Sequence, residues 1–486
     1  MDKIGVKNML DNSVGAGILS IITESLYDNP IVVFREYVQN SVDSIFSQEQ
    51  NKLYEIKIWT SGRDLFFLDN AKGIAEDNFQ KEMIKIGDSN KRKQKNLGYK
   101  GIGRLSGVPY CDKLYFVNIL SYSDKKAQLY IIDNLLYVKI KNELQESNMC
   151  FSELMDKIGK YSDDINSNEW IFDELEKYSD VLSKTNTGFF VVMKNISQVL
   201  ETMINSDDFE KKLQWLLPVD FNDELYTSDK KELFQELTKS EPDRLAPIRF
   251  CDIFFNDKKI LRPITTAMFR HYVCKNNFKY AVGFHTFNSD KLVIDKQDFT
   301  GIHVYVDNML LCTEEELLRS LDSYGLLSHT YNGQVQSVRC IGAMIYITDK
   351  VNISANARRT FIEVTDNDSL EFLKLLAEFV NTIYDTRYAL SNYASAKNKQ
   401  DKNSQKLSEL RREAIENLRK LAKEDVELPE ETEVEFEALS STEKKRMVKK
   451  KIVSYCDGKI KAFINEINSY NLDSVIDEFR KWIQKN

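Results

Sequence analysis

Between residues 24 and 43 the chain reads ESLYDNPIVVFREYVQNSVD. Glu36, Asn40 and Asp43 recur there at the four- and three-residue steps that bring side chains onto one helical face. Ile31, Val32, Phe34, Val38, Val42 and Ile45 share another side of the same helix. This division predicts a helix whose apolar side packs on a sheet while its polar stripe looks elsewhere. A solvated helix face is the ordinary meaning of such a stripe, so it needs support from other motifs. Its composition is nonetheless specific. A carboxylate four residues before an amide suits a general base beside a metal ligand. Glutamate orients and deprotonates a water, and an asparagine carbonyl is the hard oxygen donor that magnesium accepts while keeping its own waters.

The support comes in order along the chain. Residues 53–59 and 64–68 are β-rich runs split by Ser61-Gly62, which reads as a hairpin. Asp69 follows the second run, and Asp69-Asn70-Ala71-Lys72-Gly73-Ile74 sets a carboxylate at a strand end with a glycine four residues on. Backbone can approach a flat ligand closely at such a glycine, although by itself the segment is an ordinary turn. A helix to Ile86 is expected next, then the polar and basic residues 87–96, then Gly98-Tyr99-Lys100-Gly101-Ile102-Gly103-Arg104. Three glycines in six residues expose backbone N–H groups just before a helix-capable run, which suits phosphates at a helix N-terminus with Lys100 as a point charge. A flexible solvated turn has the same composition, and so does a lid over a nucleotide. Residues 127–140 and 188–194 have strand composition. Residues 142–184 read as an acidic, mainly helical insertion whose Met155, Ile158, Ile171, Phe172 and Leu175 are packing residues.

Acidic helix, strand-end aspartate with glycine, then glycine-rich loop: in that order the N-terminal part resembles the GHKL ATPases, the superfamily of gyrase, heat-shock-90 chaperones, histidine kinases and MutL. SLYDNPIVVFREYVQNSVDSI is similar to the heat-shock-90 helix, with its glutamate and asparagine four apart, whereas GYKGIGR is closer to the loop of MutL, MORC and bacterial conflict-system relatives. The resemblance implies ATP and Mg2+ as ligands. It makes Glu36 the general base for the attacking water and Asn40 the magnesium ligand. Asp69 would bond the adenine amino group, and Gly73 would pass beneath the base. Gly98, Gly101 and Gly103 would wrap the phosphates with Lys100 nearby, and Asp43 would stand at the pocket wall. Glu36 favours hydrolysis over phosphotransfer, because histidine kinases of the superfamily carry asparagine at that position. Two positions depart from the pattern. Ala71 replaces the first glycine of the aspartate motif, a methyl that matters only if the backbone there needs a positive φ. The later Gly-Thr pair appears as Thr187-Gly188-Phe189, which displaces the hydroxyl of Thr187, the remaining nucleotide-binding candidate.

Further on, residues 209–217 and 230–237 read as helical, and Glu241-Pro242 with Ala246-Pro247 punctuates a boundary. Strand-like runs at 248–255, 302–306 and 338–348, with a helical run at 314–321, suit an α+β transducer domain. Residues 349–363, DKVNISANARRTFIE, resemble the heat-shock-90 middle-domain loop in which an arginine reaches the γ-phosphate. A guanidinium there stabilises charge developing in phosphoryl transfer. Arg358 and Arg359 both fit, and without an ATPase upstream they would read as an ordinary surface pair. Leu370, Phe372, Leu373, Leu376, Phe379, Val380 and Ile383 recur at helical spacing. Residues 397–403 are charge-rich, and helical patterns return at 407–421 and 443–482 around an acidic stretch holding Pro429.

A chain of 486 residues exceeds one ordinary core, and 42% apolar residues suit globular folding. The formal net charge of -8 argues against a generally basic nucleic-acid coat but leaves room for a local basic groove. Seven cysteines without a close pair read as reduced thiols, and His271, His285, His303 and His329 form no ligand motif. No run approaches membrane-spanning length and the first residues show no cleavage pattern, so a cytoplasmic protein without a membrane partner is expected. With the resemblance, the expected fold is α+β: a Bergerat-type α/β sandwich (1–205), a helical connector (206–247), a transducer middle domain (248–365) and an all-helical dimerisation or partner-binding region (366–486). The function this implies is an ATP-gated homodimeric clamp that hydrolyses ATP, heat-shock-90-like and acting on protein clients. The alternative is a MORC- or MutL-like clamp on DNA, as in a bacterial anti-phage defence system. A nucleotide-sensing module with negligible turnover is a third class.

Overall fold

The computed structural model describes residues 15–21, 23, 29–48, 54–84, 102–143, 149–163, 168–220, 250–262, 273–277, 281–287, 301–306, 308–312, 314–328, 341–347, 354–355, 362–364, 367–398 and a few positions between 409 and 416. Two units emerge. One comprises Met1–Asp220 and Arg249–Arg262, the other Phe221–Ile248 and Pro263–Asn486.

In the first unit a single helical turn, Ile18–Ser20, precedes α1 (Ile31–Phe46), β1 (Glu55–Ser61), β2 (Asp64–Asp69) and α2 (Glu76–Ile84). A 3-10 helix, Gly103–Tyr110, leads into β3 (Cys111–Ser121), β4 (Lys126–Asp133), α3 (Asn134–Asn142), α4 (Phe151–Ile158) and β5 (Gly159–Ser162). Then come α5 (Trp170–Leu175), α6 (Ser179–Leu182), β6 (Gly188–Ile196), α7 (Gln198–Ile204), α8 (Phe209–Leu216), β7 (Asp252–Phe255) and β8 (Lys258–Lys259). The eight strands form one sheet in the order β5-β4-β3-β6-β2-β1-β7-β8, antiparallel except for the β1–β7 pair.

Period-two alternation divides the side chains of this sheet between two faces. Trp59, Phe66, Leu68, Val117, Ile119, Phe190 and Val192 share one, in a buried cluster with Ile171, Phe172, Leu175, Val181 and Leu182 of the insertion. Trp59 stacks on Phe66 at 5.0 Å and on Phe190 at 5.6 Å, and its indole N–H donates to Glu174 at 2.8 Å. The packing role expected for Met155, Ile158, Ile171, Phe172 and Leu175 agrees with their burial. On the opposite face Phe67 meets Phe34 and Tyr37 of α1, with ring centroids 5.4 and 5.2 Å apart. Helix α1 starts immediately after Pro30, whose fixed φ suits a helix start, and the Asn29 side chain accepts from the Ile31 N–H.

Two stretches differ from their sequence reading. Residues 127–140 are a strand followed by a helix. The Asp133 carboxylate accepts from the Leu136 N–H and caps α3, in which Tyr137 and Ile140 are buried while Leu135 and Val138 are exposed. An apolar run fits either element, and here the capping aspartate decides. The strand read as opening the middle domain is β7, which pairs with β1 in parallel from Glu55↔Asp252 to Ile58↔Phe255. It follows α8, whose Phe209 packs 4.9 Å from Phe34. The buried Arg262 guanidinium donates to the Leu217 carbonyl at 2.8 Å and to Gln214 at 3.2 Å, closing the end of α8. A short β-rich run has the same composition whichever sheet it joins, and only pairing distinguishes them.

The second unit holds β9 (Val273–Asn277), β10 (Ala281–Phe287), β11 (Gly301–Val306), β12 (Met309–Cys312) and β13 (Ile341–Ile347) in a sheet of order β12-β11-β13-β10-β9. Strands β11 and β13 are parallel, a pairing that needs a crossover, and α9 (Glu314–Ser323) lies in that connection. A two-stranded ladder of β14 (Ser354–Ala355) and β15 (Ile362–Glu363) precedes α10 (Asn367–Asn398). Phe372, Leu373, Leu376 and Val380 of α10 are buried, as the helical spacing predicts. The fold class is therefore α+β, as read from the sequence. The readings at 230–237, 424–437 and 443–482 fall outside the described residues. Among the described residues no helix is long and apolar enough to cross a membrane.

Leu175 is fully buried in the cluster under the sheet. Leu175→Ala should therefore cost about 2–5 kcal/mol in urea unfolding. A loss below about 1 kcal/mol, the range of surface substitutions, would show that the insertion does not cover this face.

Candidate active site

Helix α1 is buried on nearly all sides: Val32 to Arg35, Tyr37 to Gln39, Ser41 to Asp43 and Ile45 are all buried. Glu36, Asn40 and Ser44 are partly open, at a constant step of four. The polar stripe read from the sequence is thus the open edge of a packed helix. Asp43 lies off that edge and is buried.

One end of the stripe is tied to the 3-10 helix. The Glu36 carboxylate rests on the α-carbon of Gly103, so that a Cβ at Gly103 would fall on its Oε2. Tyr37, the next residue, donates its hydroxyl to the Arg104 carbonyl at 3.1 Å and accepts from the Gly107 N–H at 3.0 Å. Burial holds the Tyr37 phenol far above its ordinary pKa, with a further push from Cys111, so it remains a donor at any physiological pH. Arg104 in turn donates to the Met83 carbonyl of α2 at 3.2 Å. The start of this eight-residue 3-10 helix, with its N–H groups, therefore sits beside a partly exposed carboxylate.

Five residues along, about 7.5 Å of helix rise, α1 meets the end of β2. Ser41 donates to Asp69 Oδ2 at 2.6 Å, and the Ala71 N–H donates to Oδ1 at 3.0 Å. Asp69 is thereby a buried carboxylate held in one orientation by two donors. Ala71 is buried and is not among the residues with positive φ, so the methyl is accommodated without backbone strain. The turn beyond is pinned from the sheet. Asn118 accepts from the Ile74 N–H at 3.0 Å and donates to the Ile74 carbonyl at 2.8 Å and to Gln128 at 3.1 Å. Gly73 has φ +71°, and a Cβ there would lie 2.5 Å from Asn118 Oδ1 and 3.3 Å from the Gly188 carbonyl. A Cβ at Gly188 would come 2.5 Å from the Asp69 carbonyl oxygen. The Thr187 hydroxyl donates to the Ala71 carbonyl at 3.1 Å, so it braces this turn.

The strand register arranges these groups in a line. Asp69 faces Phe189 across β2–β6, Phe189 faces Asn118 across β6–β3, and Asn118 faces Gln128 across β3–β4. Directly opposed residues share a face, and the Ser41–Asp69 bond shows that this is the face carrying α1. Chemically, one end offers a fixed carboxylate acceptor suited to an amino group, with bare backbone beside it at Gly73. The other end offers a carboxylate over Gly103 and the N–H groups of a helix start, which suit a water nucleophile and an anion.

Glu36, Asn40, Asp69, Gly73, Gly103 and Thr187 therefore belong to one neighbourhood around α1, β2 and the 3-10 helix. Gly98, Lys100, Gly101, Arg358 and Arg359 lie outside the described residues. Ser41, Tyr37 and Asn118 were not singled out from the sequence. Ser41 and Tyr37 are four apart on α1, a spacing that was available as a signal, but a serine and a tyrosine on an apolar helix side read as packing. Asn118 lies inside an eleven-residue strand and shows no sequence signal.

Gly73→Ala combines a positive φ with a clash, and about 1–3 kcal/mol of stability should be lost in thermal or urea unfolding. In an Asn118→Ala background the clash with Oδ1 is gone while the φ cost and the close Gly188 carbonyl stay, so the same substitution should cost less. Equal costs in both backgrounds would show that Gly73 and Asn118 do not touch.

Residues 27–186 match the family described as histidine kinase-, DNA gyrase B-, and HSP90-like ATPase. No curated protein matches the chain. Among solved structures, the ATPase region of Saccharomyces cerevisiae topoisomerase II is similar at 10% identity, with 72% of this chain and 83% of that one covered and a TM-score of 0.35. A likeness of that degree carries no weight, whereas the family match spans α1, the Asp69 turn, the 3-10 helix and β3 to α6. Residues 27–186, from α1 to the turn before β6, are thus similar to the ATPase domain shared by histidine kinases, DNA gyrase B and HSP90.

Proposed function

We propose that the chain is a magnesium-dependent ATPase in which Glu36 activates water and Asp69 selects adenine. The contact of the Glu36 carboxylate with Gly103 carries this reading, because it brings a base and the end of a glycine-rich loop together. At the other end of α1, Ser41 and the Ala71 N–H hold the Asp69 carboxylate as an acceptor for the adenine amino group. Gly73 supplies backbone without a side chain beneath the base, and Thr187 braces the turn that carries it.

A divalent cation fits the partly open edge of α1, where the Asn40 amide oxygen is the hard donor and Glu36 is one turn away. When bound, such an ion offsets charge on the phosphates. The remaining work is done by the chain. Glu36 takes a proton from the attacking water, and the Gly98–Gly103 loop with Lys100 encloses the phosphates. Arg358 or Arg359 meets the developing charge, and Asp43 buttresses the pocket wall. Closure of residues 87–103 over ATP then gates a homodimer, with α10 and the residues after it as dimer or partner surface. Heat-shock-90-like action on protein clients is the reading favoured by the α1 sequence and the net negative charge. A MORC- or MutL-like clamp on DNA, within an anti-phage defence system, is the second reading, and GYKGIGR with the basic residues before it favours that one.

Steady-state hydrolysis with magnesium, measured beside nucleotide binding, tests the core of the reading. Glu36→Ala should bind ATP and lose about 100- to 10,000-fold in kcat, and Asn40→Ala should lose affinity for magnesium-ATP. A wild type that binds ATP yet turns over no faster than Glu36→Ala removes Glu36 as the base and leaves a nucleotide sensor. The client class is separated by plasmid retention at rising salt. ATP-dependent retention that weakens steeply with salt supports the DNA clamp, and none at low salt supports the protein-directed one.

A further inference from the structure

Three of the four side chains in the Asp69–Phe189–Asn118–Gln128 line have polar work. Asp69 is clamped by Ser41 and Ala71, Asn118 holds both backbone groups of Ile74, and Gln128 holds Asn118. Phe189 has none. It packs against Phe79 at 6.3 Å and Phe116 at 6.5 Å, both fully buried, yet its own ring stays partly exposed. A core phenylalanine at the centre of a sheet, between neighbours buried this deeply, is expected to be covered. Here the residue before it is a glycine that leaves room for the Asp69 backbone, and a Cβ added at Gly73 would come within 3.3 Å of the Gly188 carbonyl. Cβ atoms of opposed residues in an antiparallel pair stand about 4.5–5.5 Å apart. The ring is therefore one side-chain width from the carboxylate of Asp69, on the same face, beside backbone kept bare.

We propose that Phe189 is a specificity-determining base contact: its ring packs on the purine whose amino group Asp69 accepts. This rests on the adenine-side reading of the site given above. The Gly-Thr pattern of the superfamily would put a hydroxyl after Gly188. A phenyl ring has no donor or acceptor, so it excludes water from this side and selects by apolar contact and shape. Hydrogen-bond discrimination then falls to Asp69, which accepts from an amino group but meets a guanine carbonyl as acceptor against acceptor. The ligand class is a 6-aminopurine nucleotide held in a drier base pocket than a threonine would make.

The test uses the full chain with magnesium, ATP and GTP binding by calorimetry, KM and kcat for hydrolysis, and thermal melting of each variant. Phe189→Leu, which keeps apolar bulk but no ring, should weaken ATP binding about tenfold and raise KM in step with little change in kcat. Phe189→Tyr, which keeps the ring, should restore affinity to within about threefold of wild type. Should the leucine variant melt early, Phe189→Met replaces it with the same expectation, because an unbranched thioether fills the volume without a ring. A folded Leu or Met variant with wild-type ATP affinity overturns the proposal. Asp69→Asn separates the two levels of argument. If it loses ATP binding while Phe189→Leu does not, the Phe189 contact alone is wrong. If ATP binding ignores Asp69→Asn, the adenine-side reading fails and the contact with it.

Discussion

The pairing of β2 with β6, running residue by residue from Leu65↔Met193 to Asp69↔Phe189, is the constraint on which the site depends. A strand has period two, so a slip of one residue would turn Asp69 toward the face of Trp59 and bring Phe66 under α1. Both faces resist that slip. Phe66, Leu68 and Phe190 are buried with Trp59 and the insertion, and Phe67 is locked edge-on between Phe34 and Tyr37. Burying an aromatic or leucine side chain stabilises by about 1.5–3 kcal/mol, and several such side chains on each face would be misplaced together. The polar line of Asp69, Asn118 and Gln128 is thus held in register by apolar packing on both sides of the sheet.

Helix α1 spans the site like a beam fixed near both ends. Tyr37 ties it to the 3-10 helix and Ser41 ties it to the end of β2, four residues apart on one stripe. The open stripe of Glu36 and Asn40 lies one residue before each of these ties. A side chain next to a fixed point has little freedom to drift, and alignment of a base within a fraction of an ångström is what proton abstraction needs. Burial of the Tyr37 phenol contributes to this, because a hydroxyl that stays protonated keeps its bond to the Arg104 carbonyl across the physiological range.

Legibility in the sequence followed the period of each signal. Glu36 and Asn40 stood out because two polar groups interrupt a helical apolar pattern at a fixed step, and Asp69 with Gly73 because a strand end and a glycine are local events. The helices at 314–323 and 367–398 were legible for the same reason. What escaped depends on pairing between distant segments. Asn118 reaches Ile74 across 44 residues, Tyr37 reaches Arg104 across 67, and β7 finds β1 after nearly 200. No local pattern encodes those distances. Ala71 shows the converse case: the sequence reading isolated the right question, positive φ or not, and only the backbone answered it.

The insertion after α3 does more than cover the second face. Its edge strand β5 places Tyr161 opposite Tyr130, and the Gln128 amide nitrogen lies 3.0 Å from the Tyr161 hydroxyl and 3.1 Å from the Glu76 carbonyl. Tyr161 also bonds Asp163. A chain of hydrogen bonds thus runs from the sheet edge through Gln128 and Asn118 to both backbone groups of Ile74, beside the glycine that opens the pocket. Each link is short and has an amide in it, so its geometry is fixed by a planar group and not by a rotating hydroxyl alone. A displacement of β5 must either break the Tyr161–Gln128 bond, so that the Gln128 nitrogen relies on the Glu76 carbonyl, or pull on Gln128 and through Asn118 on the Gly73 turn. The position of the turn is therefore set partly by a strand at the far edge of the sheet, in a segment whose composition reads as filler.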